Sequence, residues 1–330
     1  AIGLAIGHYL GSGNIPLVYL QNSGLGNIVN PLLSLASSEV YGIPMLIVIG
    51  WRGEPNVKDE PQHIHQGRVM PNMLEAMEIP SIILDNNLDQ AIKKTQYAIS
   101  KSLELKNPFV IIVKKGTFDG FSMPEVFNDK KISRETAIIT AASEIEENAA
   151  IVSTTGMASR ELFEYRAKSN SGHYRDFLTV GGMGHANQIA LGIALSKSNK
   201  SVYCFDGDGS LIMHMGSLGI IGQSKCKNFV HLVFNNGVHG SVGGQPTVGF
   251  DIDFTKIASA CGYSYTRKVD NIEDFKSVLS AAKNLDGPGL IEVYTLPGNR
   301  KDIGRPTLSP IENKENLIEF LKKDMINDNR

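Results

Sequence analysis

Four short apolar runs in the second half of the chain each end in glycine or small polar residues: NAAIVSTTG (148–156), RDFLTVGGMG (175–184), KSVYCFDGDG (200–209) and NFVHLVFNNG (228–237). A strand with one wet face alternates apolar and polar residues, whereas these runs are apolar at successive positions and need cover on both faces. That requirement points to a parallel sheet layered between helices. GYSYTRKV (262–269) and GLIEVYTL (289–296) extend the pattern, and the first half repeats it in IPLVYLQ (15–21), IPMLIVIGW (43–51), IPSIIL (79–84) and PFVIIVKK (108–115). Helix-like sequence separates most of these runs. The expected class is α/β, with two doubly wound parallel-sheet domains. The polar stretch KKGTFDGFSMPEVFNDKKISRE (114–135) reads as a linker, giving domains over 1–125 and 126–330. A length of 330 residues at 42% hydrophobic content is enough for two cores.

Thirty-two basic and 34 acidic residues leave a net charge of −2, with no basic block. The electrostatic footprint of a nucleic-acid binder is missing, so a small-molecule partner is expected. Cys204, Cys226 and Cys261 are odd in number and widely spaced, which suits thiols in a reducing compartment, packed as small hydrophobes. No apolar run approaches the roughly 18–20 residues of a membrane span, and no signal-peptide pattern leads the chain. The expectation is a cytoplasmic protein that engages no membrane. The opening AIGLAIGHYLGSG carries helical spacing through Ile2, Ala5, Ile6, Tyr9 and Leu10 without a capping residue ahead of it. The chain therefore reads as starting inside a helix, with a segment expected upstream.

In an open parallel sheet, ligands bind outside the carboxyl ends of the strands, and STTG, GGMG, GDGS and NNG all fall at such ends. Glycine lets backbone N–H groups approach phosphate oxygens, and a helix expected from Ser210 would aim its positive end the same way. Asp208 and Asn236 offer the hard oxygen ligands that Mg²⁺ prefers. The residues together suit a magnesium diphosphate.

From Gly207 to Asn236, GDGSLIMHMGSLGIIGQSKCKNFVHLVFNN resembles the thiamine-diphosphate motif, which opens on GDG and closes on NN about thirty residues later. The resemblance implies that Asp208, the Asn236 side chain and the Val238 carbonyl hold Mg²⁺, and that Gly207, Gly209 and Ser210 meet the diphosphate. It also implies that Thr155 and Gly156 line the cofactor and that the Gly181 carbonyl receives its 4′-amino group. Met183 would wedge under the thiazolium ring, although by residue type it would serve equally as core filler. In the first half, QNSGLGNIVNP (21–31) resembles the turn that faces the aminopyrimidine, placing Asn22, Ser23 and Gly24 against it. Its G-x-G lacks the third glycine of a dinucleotide fingerprint. In this family the two domains come from different subunits, which implies a homodimer or higher with the site at the subunit interface.

WRGEPNVKDEPQHIHQGR, TVGGMGHANQIALGIAL, NNGVHGSVGGQPTVGFDIDF and DIGRPTLSPIENKE resemble the phosphonopyruvate decarboxylase family, whose sister family decarboxylates sulfopyruvate. The resemblance covers almost the whole chain and implies two domains of the thiamine-diphosphate-binding fold without a middle domain. It implies decarboxylation of the 2-oxo acid phosphonopyruvate to phosphonoacetaldehyde and CO₂. Substrate charges call for cations, and the candidates are Arg52, Arg68 and Arg305; His63, His65 and His239 are candidate catalytic groups, with His185 behind them. His214 and Met215 read as helix packing. Gly240 stands where the family leads one to expect a small acidic residue. The family's activating glutamate lies just before the stretch matching AIGLAIG, so it is expected upstream of Ala1. Sulfopyruvate decarboxylase and an inactive or non-catalytic binding module are the alternative readings. A cluster-bearing oxidoreductase half would need cysteine spacing that is absent from this sequence.

Overall fold

The continuous apolar runs become strands of two parallel sheets. The computed structural model describes residues 1–121 and 132–323. It divides into two compact units, Ala1–Ser122 and Met123–Arg330. The boundary expected at 125/126 and much of the expected linker lie outside the described residues.

In the first unit, α1 (Ile2–Ser12), β1 (Leu17–Gln21), α2 (Leu25–Pro31) and β2 (Met45–Gly50) are followed by α3 (Pro61–Ala76), β3 (Ser81–Ile83), α4 (Leu88–Leu105) and β4 (Pro108–Val113). The strands run parallel in the order β1-β2-β4-β3. All six residues of the central strand β4 are buried, as its unbroken apolar sequence requires. Asn87 caps α4 by accepting from the Gln90 amide at 3.1 Å. Pro61 occupies the first turn of α3, where its missing N–H costs nothing. His63 and His65 of PQHIHQ lie on this helix. Two residues apart on a helix, His63 and His65 point to different faces.

The second unit opens with α5 (Arg134–Glu144), β5 (Ala150–Ser153), α6 (Met157–Lys168), β6 (Asp176–Leu178) and α7 (Ala186–Ser196). It continues through β7 (Val202–Gly207), α8 (Asp208–Met213), α9 (Ser217–Ser224), β8 (Phe229–Asn235), β9 (Val238–His239) and β10 (Gln245–Pro246). It closes with α10 (Phe254–Cys261), β11 (Tyr265–Val269), α11 (Ile272–Ala281), β12 (Gly289–Tyr294) and α12 (Pro310–Lys322). The main sheet is parallel throughout, ordered β11-β12-β8-β7-β5-β6.

The period-two alternation of a strand divides the core between the two faces of this sheet. Tyr203 and Phe205 of β7 pack with Leu232, Ile138 and Phe275 on the α5, α6 and α11 side. Val202 and Cys204 pack with Leu191, Ile221 and Phe254 on the α7, α9 and α10 side. Both sides are dry, which is why the strands show no alternation in sequence. Cys204 and Cys226 are buried thiols. The edge strand β6 is covered by α12, whose Asn313 accepts from the Leu178 amide at 2.9 Å and donates to the Asp176 carbonyl at 2.8 Å. Below it, Arg166 clamps the buried Asp176 carboxylate through Nε at 2.8 Å and Nη2 at 3.1 Å.

One boundary differs from expectation in a way that matters for the site. α8 starts at Asp208, not Ser210, because β7 extends to Gly207 and the turn into the helix is immediate.

Candidate active site

The carboxyl ends of β5, β7 and β8 and the turn after β6 converge on one cleft of the second unit. Ser210 is the knot that joins them. Its hydroxyl lies 2.9 Å from the Thr154 hydroxyl after β5 and accepts from the Gly184 amide, in the turn after β6, at 3.0 Å. A serine buried on the first turn of α8 thus fixes three strand ends at once.

Asp208, also buried, sits beside it. Its Oδ1 accepts from the Asn236 amide at 3.3 Å, and its Oδ2 accepts from the Thr247 hydroxyl. Burial pushes the Asp208 carboxyl above its ordinary range, opposed by the Thr247 hydroxyl and by the amides of Asn236 and Gly209. Asn236 Oδ1 in turn accepts from the Val238 amide at 3.2 Å. Asp208, Asn236 and Val238 are therefore contiguous, although 28 residues separate the first two in sequence.

The two asparagines of the NN pair do different work. Asn236 borders the cleft, whereas Asn235 is fully buried behind it. Asn235 donates to the Gly249 carbonyl at 2.7 Å and to Glu292 Oε1 at 2.8 Å, and its own oxygen accepts from the Gly237 amide at 3.1 Å. These bonds tie the segment after β10 to β12. Burial pushes the Glu292 carboxyl up to about 7, against the pull of the Asn235 amide and the Lys268 ammonium.

Val238 and His239 form the β9 arm of a small antiparallel hairpin with Gln245 and Pro246, and the His239 ring edges the cleft. Two glycines make this close packing possible. A Cβ on Gly209 would stand 2.5 Å from the His239 ring, and one on Gly249 would stand 2.6 Å from Asp208 Oδ2. Met183 is half-buried and lines the cleft, which separates it from ordinary core filler. Thr155 lines the cleft as well, and Gly156 sits where a Cβ would meet Ser241 at 3.2 Å. Gly181 lies in the same turn as Met183. His185 is exposed; its ring is 4.5 Å from that of His214, in the link between α8 and α9 rather than on a helix. Gly240 borders the cleft near Arg134, a residue that sequence reasoning passed over.

The first-unit candidates form a separate group. Asn22 spends its side chain on the neighbouring strand end, donating to the Arg52 carbonyl at 2.8 Å and accepting from the Arg52 amide at 3.0 Å. Ser23 donates to Gln21 at 2.6 Å, and Gly24 follows in the same turn. Arg52 grips Asp59 through Nε at 2.8 Å and Nη2 at 2.5 Å, which holds that carboxyl down at about 2. His63 is half-buried, and burial together with the Arg52 charge keeps its imidazole below the usual range. His65 is exposed and lies 2.9 Å from Arg68, which borders a shallow depression with residues 53–59. Arg305 is exposed on the segment after β12.

The donor set of Asp208, Asn236 and the Val238 carbonyl is one carboxylate, one amide oxygen and one peptide oxygen, all hard ligands fit for a small divalent cation. A glycine-lined cradle beside it suits a diphosphate. Elsewhere, Cys204, Asp206 and His231 bring potential ligand atoms within 4.8 Å of one another inside the sheet, but all three are buried and His231 already faces Asp206 at 3.2 Å.

Residues 154–293 match the family described as thiamine pyrophosphate enzyme, C-terminal TPP binding domain. The chain is 33% identical to a phosphonopyruvate decarboxylase of Streptomyces viridochromogenes over 328 residues, covering 94% of this chain and 80% of the relative. It is 29% identical to a sulfopyruvate decarboxylase of Methanosarcina acetivorans, covering 97% of this chain and 85% of the relative. Among solved structures, a thiamine diphosphate-dependent 4-hydroxybenzoylformate decarboxylase of Rhodococcus jostii aligns over 91% of each chain at 15% identity and a TM-score of 0.44. With its parallel sheets, its GDG-to-NN cleft and this extent of identity, the chain belongs to the phosphonopyruvate decarboxylase family of thiamine-diphosphate-dependent decarboxylases.

Proposed function

We propose that this protein decarboxylates phosphonopyruvate to phosphonoacetaldehyde and CO₂ without oxidation, with its thiamine diphosphate held through Mg²⁺. The observation that carries the proposal is the pair of hydrogen bonds, Asn236 amide to Asp208 Oδ1 and Val238 amide to Asn236 Oδ1, that brings Asp208, Asn236 and Val238 together at the ends of β7 and β8. These three take the metal, the first turn of α8 meets the diphosphate through Gly209 and Ser210, and Met183 supports the ring from the cleft wall. Once bound, the cofactor supplies the electron sink that loss of CO₂ from a 2-oxo acid requires.

The remaining work falls to protein groups. His239, whose ring edges the cleft beside Gly209, is the proposed group that holds or passes a proton at the reacting carbon. His63, His65, Arg68 and Arg305 remain proposed contacts to the substrate's two anionic ends. Arg52 serves there through the loop it organises with Asp59. A second copy of the chain contributes its first unit to the site.

Steady-state decarboxylation of phosphonopyruvate, sulfopyruvate and pyruvate tests the substrate. A phosphonate offers three acceptor oxygens and up to two charges, whereas pyruvate carries only a methyl group there. Losing two charge-assisted hydrogen bonds, at about 1.5–3 kcal/mol each, predicts a handicap of roughly 10²–10⁴ in kcat/KM for pyruvate. Equal constants for pyruvate and phosphonopyruvate would refute the proposal. A preference for sulfopyruvate would move the protein to the sister activity, which the 29% identity to a sulfopyruvate decarboxylase makes the second reading.

A further inference from the structure

Arg134 opens α5, and its side chain is only 9% exposed. Its Nε and Nη2 both donate to the Glu161 carboxylate at 2.9 Å, and that carboxylate is itself 1% exposed on α6. This bidentate grip uses one edge of the planar guanidinium and leaves Nη1, with its two N–H donors, on the opposite edge. Arg134 lines the cleft, and Nη1 is its atom nearest to Gly240, which lines the cleft as well. A Cβ placed on Gly240 would lie 3.9 Å from Nη1 and 4.0 Å from Asn236 Nδ2, so the guanidinium and the Asn236 side chain face the same space at Gly240. Among the described residues that line the cleft, Arg134 is the only arginine or lysine.

A guanidinium is buried in this way only if it is neutralised, and Glu161 does so from behind. The arrangement also holds the guanidinium in one rotamer before any ligand arrives, which lowers the ordering cost of binding. We propose that Arg134 is a binding residue for the diphosphate end of the cofactor, donating from Nη1 to a phosphate oxygen beside Asn236, with Glu161 holding it in place. This rests on the cofactor reading above and adds a contact to it. The diphosphate fits better than the substrate phosphonate because the open space adjoins Asn236, at the metal end of the cleft.

Calorimetric titration of the full-length protein with magnesium thiamine diphosphate, and separately with magnesium pyrophosphate, tests the assignment. The variants are Arg134→Met and the double variant Arg134→Met/Glu161→Gln, which leaves no unpaired carboxylate in the core. Thermal melts establish that the double variant is folded. Loss of one charge-assisted hydrogen bond predicts affinities roughly 10- to 100-fold weaker for both ligands in both variants. Wild-type affinity in a folded double variant would overturn the assignment, as would unchanged cofactor affinity accompanied by a raised KM for the 2-oxo acid. Failure of the wild-type protein to bind either ligand would instead overturn the cofactor reading, and this contact with it.

Discussion

Glu292 shows how one buried side chain bears on the site without touching it. It is fully buried on β12, and its Oε1 fixes the Asn235 amide so that Asn235 can hold Gly249 against Asp208. Lys268 lies 3.6 Å from Oε2 and Asp253 lies behind Lys268 at 3.4 Å, so the carboxyl is only partly compensated. Its folded value of about 7 stands above the ordinary 4.5. A group raised on folding contributes stability that is complete below its unfolded value and is lost as pH rises through the folded one. The difference in unfolding free energy between wild type and Glu292→Gln should therefore fall from pH 4.5 to about 7, by at most about 3 kcal/mol. Chemical denaturation across that range measures it, and a flat difference would contradict the assignment. At this scale the sequence was legible where a motif marks the residues: Asp208 and Asn236, 28 residues apart, stand after adjacent strands and come together. Arg134 and Glu292 were not legible. The Arg134–Glu161 pair belongs to no motif, and Glu292, although it interrupts an apolar run, gives no sign in the sequence that its partner is Asn235.

Elements were legible wherever burial writes itself into sequence. β4, β7 and β8 lie inside their sheets and are mostly apolar, β4 without a break, β7 up to Asp206 and Gly207, and β8 interrupted by His231 and closed by Asn235. The edge strand β6 was blurred, because only three residues pair while the apolar run continues into a turn. Its stability comes from α12, more than 130 residues later, through the two Asn313 bonds. Asn313→Ala would leave the Leu178 N–H and the Asp176 carbonyl buried without partners. Unfolding free energy should drop by about 1–3 kcal/mol, with earlier hydrogen exchange at β6 than at β8. An unchanged midpoint would show that α12 does not hold this edge. At the helix starts, Ser309 and Glu312 form a capping box that holds the first turn of α12, and the start of α8 was displaced from the expected Ser210 by the length of β7.

For the whole molecule, the first unit leaves large apolar side chains uncovered on its edge strand and first helix, notably Tyr19 at 73% and Leu4 at 81% exposed. Such residues on an unpaired edge invite another surface. A second copy of this chain is the expected occupant. Light scattering should give a dimer or a larger assembly, and full activity from a monomer at low concentration would contradict that. If a divalent ion held by Asp208 and Asn236 seats thiamine diphosphate at the ends of β7 and β8, losing either the ion or the carboxylate should release the cofactor. Calorimetric titration with the cofactor, comparing wild type with Asp208→Ala and each protein with and without a chelator, measures this. The wild type with magnesium should bind one cofactor per chain, with no measurable binding once the carboxylate or the metal is removed. Stoichiometric binding by Asp208→Ala in the presence of chelator would contradict it.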